Sequence, residues 1–171
     1  MSKEEFDFIH SDKDEKEENV EPVKWASLFG YKQTWAFAIG KFLTDPIWWF
    51  YLFWLPDFLK EQYHLSKTDI AVPVALVYTI SIVGSVFGGW LPLYFIKNNW
   101  TVFKARRSSM LIYALCAVPV VFAQILGTFN MWFAIGIIGL AAAGHQAWSA
   151  NIFTTVSDMF PKHTVGSVTG I

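Results

Sequence analysis

Two stretches of this 171-residue chain gather side chains that could do chemistry. The first is KFLTDPIWWFYLFWLPDFL, from Lys41 to Leu59. Lys41 and Asp45 are four residues apart, so on a helix they leave the same face and can pair. Trp48 and Trp49 continue that face outward. Pro46 cannot donate to the carbonyl of Phe42, which frees a backbone acceptor at the same level. A membrane helix tolerates this only against protein or a water-lined cavity. Charges near the middle of a span are costly and mark solute or ion pathways. In that reading Asp45 exchanges a proton or Lys41 meets an anion. The alternative is a self-neutralised pair that only fixes helix packing.

The second stretch is GHQAWSAN, Gly144 to Asn151. It places His145, Gln146, Ser149 and Asn151 within about two helical turns, with Trp148 among them. Hydroxyls and amides beside an indole suit a polyhydroxylated ligand, hydrogen-bonded at its rim and stacked on its apolar face. These residues cover a wide arc, so they cannot all face one neighbouring helix. Interhelical hydrogen bonding is the structural alternative. His145 is the only histidine deep in an apolar run, and it joins Lys41 and Asp45 as a candidate for charge or proton coupling. No spacing for a metal site or an activated nucleophile is present, so neither an enzyme nor a bound cofactor is expected.

The elements that must hold these residues are membrane helices. The chain is 54% hydrophobic, with a mean hydropathy of +0.35 despite a very polar start. Apolar runs of about 18 residues or more read as transmembrane helices. Four spans are expected, at about 34–59, 70–96, 108–128 and 131–157, with a very short turn around Gly127–Asn130. Gly84, Ser85, Gly88 and Gly89 form a small-residue strip for close helix contact. Cys116, the only cysteine, reads as a small core residue. His64 reads as a solvated loop residue.

Before the spans, residues 1–24 hold nine acidic residues and four lysines and read as a solvated tail. Residues 1–33 are taken as a linker ending in a short interfacial helix that presents Trp25, Leu28 and Phe29 on one face. Residues 34–171 are the membrane domain. Met1 leads into charge, so no signal peptide is expected. The basic residues form no nucleic-acid-like patch. Lysine and arginine counts place the tail, the Lys97–Arg107 loop and Lys162 in the cytoplasm, and the Lys60–Asp69 loop outside.

KFLTDPIWWFYLFWLPDFL with GHQAWSANIFTTVSDMFP closely resembles the second half of hexuronate transporters, in the anion:cation symporter branch of the major facilitator superfamily. The resemblance covers about residues 20–171. It implies an all-α membrane protein whose four spans correspond to helices seven to ten of twelve, with VGSVTGI starting helix eleven. The first half of such a carrier is then missing from this chain. The resemblance also implies that Gln146, Trp148, Ser149 and Asn151 contact substrate, and that Asp45, Trp48, Trp49 and Tyr51 take part. Gly88–Arg107 resembles the superfamily's basic loop between helices eight and nine, which implies a gating role for Lys97, Lys104, Arg106 and Arg107.

The expected function is secondary transport of a hexuronate or related sugar acid anion across the cytoplasmic membrane. A proton or cation gradient would drive it by alternating access. The partners are the sugar acid anion, the coupling ion, the bilayer and the first half of the carrier. The competing reading is a truncated, non-transporting membrane scaffold that packs with other helices.

Overall fold

A computed structural model describes residues 25–170. The acidic tail up to Lys24 lies outside them. Among the described residues the regular structure is helical, without strands. A single turn, α1, spans Trp25–Leu28, and α2 spans Lys32–Tyr63. They are followed by α3 at Ala71–Lys97 and α4 at Val102–Ala117. A 3₁₀ segment at Val118–Phe122 links α4 to α5 at Ala123–Phe129. The chain continues with α6 at Met131–Met159 and α7 at Lys162–Thr169.

Helix α6 is the hub. It packs most extensively on α3, then on α4, and also touches α2, α5 and α7. Its small residues allow this. A Cβ on Gly144 would stand 2.6 Å from the Tyr113 carbonyl of α4. On the facing side, a Cβ on Gly84 would run into the Ala143 backbone, and one on Gly88 would stand 2.6 Å from the Ala147 carbonyl. With no side chain between them, α3 and α6 meet backbone to backbone. Gly89 is different, with open space where a Cβ would go, and Ser85 is exposed. The expected strip therefore narrows to Gly84 and Gly88, extended by buried Ser81.

Two of the four expected spans, α3 and the α4–α5 stretch, are long and apolar enough to cross a bilayer by composition alone. Only 28% and 17% of their most apolar windows are buried inside the chain, so most of their apolar surface is open in this chain. Helices α2 and α6 have ample length, with 32 and 29 residues. Lys41 and Asp45 in α2, and His145 and Gln146 in α6, lower their apolarity. Residues proposed to do chemistry are thus among those that dilute the two spans, beside Asp57, Lys60 and Glu61 of α2.

Several boundaries differ from the sequence reading. The interfacial helix is one turn, and Leu28 turns inward to pack with Phe37, Ile152, Val156 and Val168, while Trp25 and Phe29 stay exposed. The first span runs on to Tyr63 and stops where His64 adopts a left-handed conformation, φ 54°. The third span starts at Val102, because Thr101 caps it by accepting from the Lys104 amide. Lys104, Arg106 and Arg107 therefore sit on the first turns of α4, and the connection from α3 is only Asn98–Thr101. The break at Val118–Phe122 coincides with Pro119, which cannot donate a helix hydrogen bond. The turn before α6 shrinks to Asn130, whose side chain accepts from the Trp132 amide.

Candidate functional site

Lys41 stands where α2 crosses α6. Its Nζ lies 2.6 Å from Asp45 Oδ1, one turn along the same helix. The same ammonium donates to Ser149 Oγ on α6 at 3.1 Å and lies 4.7 Å from the centre of the Phe153 ring. A carboxylate, a hydroxyl and an aromatic face thus share one cation. Ser149 and Phe153 are four residues apart, so both leave the α6 face that meets α2.

The pair is not sealed away. The Lys41 side chain is 18% exposed and that of Asp45 is 45% exposed. Both line an open cavity of about 820 Å³, together with Trp35, Pro46, Trp49 and Phe153. A cavity of this size accommodates a small polyhydroxylated anion. A cation and a flat aromatic surface stand in one wall, which suits a carboxylate and the apolar face of a sugar ring.

A second, smaller cavity of about 210 Å³ lies between α2, α4 and α6 and is lined by Thr44, Tyr51, Tyr113, His145 and Trp148 among others. His145 Nε2 is 2.9 Å from the Thr44 carbonyl oxygen. A carbonyl only accepts, so Nε2 carries the proton in this contact. Nδ1 is buried without a hydrogen-bond partner. The ring stacks on Trp48, with centroids 5.8 Å apart and planes 13° apart.

The structure divides the expected residues between faces. Trp49 lines the large cavity with Lys41 and Asp45, but Trp48 turns inward onto His145 and Tyr78. The two indoles therefore do not share the Lys41–Asp45 face, since successive helical residues diverge by about 100°. Tyr51 and Trp148 belong to the small cavity. Gln146 is half-buried and lines neither.

Asn151 departs furthest from expectation. It is fully buried, and its Oδ1 accepts from Arg106 Nη1 at 3.2 Å while its Nδ2 donates to the Arg106 carbonyl at 3.1 Å. Both ends of the amide are used in tying α6 to α4, so no face is open to a ligand.

Arg106 also donates from Nε to Asp158 Oδ2 at 2.8 Å. Of the four expected gating residues, it alone is locked into an ion pair between helices among the described residues. Asp158 was missed from the sequence. Its signal was available, as the first carboxylate after Asp69 along the sequence. Phe153 was missed too, although its four-residue spacing from Ser149 marks it.

Comparison with known proteins adds the wider context. The family model described as Major Facilitator Superfamily matches residues 6–171. A hexuronate transporter of Escherichia coli (strain K12) is 28% identical over 141 residues, covering 82% of this chain and 32% of that protein. A galacturonate transporter of Dickeya chrysanthemi is 25% identical over 99 residues, covering 57% of this chain and 29% of the relative. A D-galactonate transporter of Escherichia coli O6:H1 is 20% identical over 181 residues, covering the whole chain and 41% of its own length. The chain thus spans about a third of the length of the curated relatives it matches. No solved structure matches it.

Proposed function

We propose that this chain, which belongs to the Major Facilitator Superfamily, forms part of a carrier for a hexuronate or a closely related sugar acid anion in the cytoplasmic membrane. Transport by alternating access is coupled to a proton or another cation. The relatives are transporters rather than enzymes, and their named substrates are all sugar acids. The acidic tail faces the cytoplasm, as the basic residues flanking the spans suggest.

The observation that carries this reading is the shared cation. Lys41 reaches Asp45 on its own helix and Ser149 on α6, in the wall of the large cavity. A substrate carboxylate would compete with Asp45 for the ammonium. Once displaced, Asp45 would need a counter-charge, which a coupling proton or cation supplies. Trp49 would lie against the sugar ring, and Ser149 would hydrogen-bond a hydroxyl. His145, held on the Thr44 carbonyl one residue before Asp45, is a further candidate for proton transfer. Arg106, tied to Asp158, would serve the cytoplasmic gate.

Uptake of labelled glucuronate and galacturonate by cells expressing the complete carrier that contains this chain tests this reading, with the Lys41→Met variant alongside. Gradient-dependent accumulation that Lys41→Met abolishes is the expected result. A second reading, a non-transporting scaffold, draws on the pair being satisfied as it stands. It predicts no accumulation of either acid.

A further inference from the structure

The basic segment between α3 and α4 splits into two kinds of residue. Arg106 points into the protein, onto Asn151 and Asp158. Lys97, Lys104 and Arg107 have no carboxylate within ion-pair range among the described residues. The sequence explains why. No Asp or Glu occurs between Asp69 and Asp158, and Asp158 is already taken by Arg106. Among the described residues, these three positive charges at the end of a helix pair have no carboxylate partner.

They stand beside an apolar and aromatic surface. Trp90 and Tyr94 stack in parallel along the exposed side of α3, with centroids 5.5 Å apart, and both are about half exposed. Phe103, next to Lys104, is 76% exposed. Trp100 lies between the two regions. Its ring stacks on Phe95 at 4.7 Å and 13°, and Lys104 Nζ stands over it at 4.4 Å from the centroid. The turn that sets Trp100 there passes through Asn99 in a left-handed conformation, φ 62°, and closes with a Trp100 amide bond to the Phe95 carbonyl at 3.1 Å.

We infer that Lys97, Lys104 and Arg107, with Trp100, form a binding site for the headgroup of an anionic phospholipid whose acyl chains lie along Trp90 and Tyr94 of α3. The charges match a lipid phosphate. The amphipathic indole sits at headgroup level, as tryptophan does at a bilayer interface. The exposed aromatic column below offers a surface for acyl chains rather than for a soluble anion. Near a membrane, each basic residue contributes about fivefold to attraction for anionic lipid. The site would tie the α3–α4 corner to the bilayer, so the lipid composition would bias how this end of the protein moves. It would do so independently of which substrate the large cavity takes.

The acidic tail is the competing occupant, since its sequence carries nine carboxylates. The purified full chain in detergent micelles is titrated with phosphatidylglycerol and, separately, with phosphatidylcholine of the same acyl chains. Bound lipid is counted by native mass spectrometry, and helicity is checked by circular dichroism. The parent chain should prefer phosphatidylglycerol by tenfold or more. Lys97→Ala/Lys104→Ala/Arg107→Ala should lose nearly all of that preference, while Lys97→Arg/Lys104→Arg and the distant Lys60→Ala/Lys67→Ala should keep it. Trp100→Leu should weaken both lipids a few-fold. Equal binding of the two lipids by the parent chain, or an unchanged preference in the triple variant, overturns the inference. So does a preference that emerges only when residues 1–24 are deleted, because the tail then occupies the patch.

Discussion

Arg106 and Asn151 bond each other twice, side chain to side chain at 3.2 Å and Asn151 amide to Arg106 backbone carbonyl at 3.1 Å. The two residues sit on α4 and α6, so this reciprocal contact clamps the helices at the end where Arg106 also meets Asp158. Asn151→Ala would remove the second donor to the Arg106 carbonyl and the acceptor of a guanidinium hydrogen. A loss of about 1–3 kcal/mol in stability is expected, with sugar-acid affinity of the folded protein unchanged. Thermal unfolding in detergent and a binding titration measure the two quantities. A large fall in affinity at unchanged stability would return Asn151 to the ligand site.

Lys41 and Asp45 should prove mutually dependent. On insertion scales a lone charge at the centre of a span costs about 2.5–3.5 kcal/mol. Lys41→Met and Asp45→Leu should therefore each reduce the folded yield in membranes. Lys41→Met/Asp45→Leu removes both charges, and it should recover the yield but not the uptake of sugar acid. Normal uptake by the double variant would assign the pair to packing alone.

The contact between α3 and α6 depends on two glycines. Gly84→Val inserts a branched side chain against the Ala143 backbone, and Gly88→Val inserts one against the Ala147 backbone and the Ala150 Cβ. Both should abolish a monodisperse protein peak in size-exclusion chromatography. Gly89→Ala meets open space and should elute like the parent. If Gly84→Val also elutes like the parent, the close packing described above is wrong.

Topology is open to chemical labelling. In a Cys116→Ala background, Lys67→Cys should react with an impermeant thiol reagent in intact cells, and Lys104→Cys should react only after the cells are opened. The opposite pattern would invert the protein in the membrane and remove the cytoplasmic placement of the tail.

The sequence by itself determined the helices and one pair of charges. Apolar runs set the four long elements to within a few residues in most cases, because burying a backbone in lipid demands a helix. Four-residue spacing determined that Lys41 and Asp45 meet, because that contact lies within one helix. Only the tertiary structure decided where the polar residues of α6 point. Ser149 and Asn151 are two positions apart, about 200° around the axis. One meets Lys41 of α2 and the other meets Arg106 of α4. Which arc faces which neighbour depends on where Gly84 and Gly88 of α3, as well as Gly144 of α6 itself, let helices approach, and the α6 sequence alone does not name those neighbours. The basic segment is a similar case. Its charges read as a loop, but Thr101 caps a helix that turns Arg106 inward. A charge pattern shows how polar a segment is, whereas the direction of each side chain follows from the packing of helices far away in the chain.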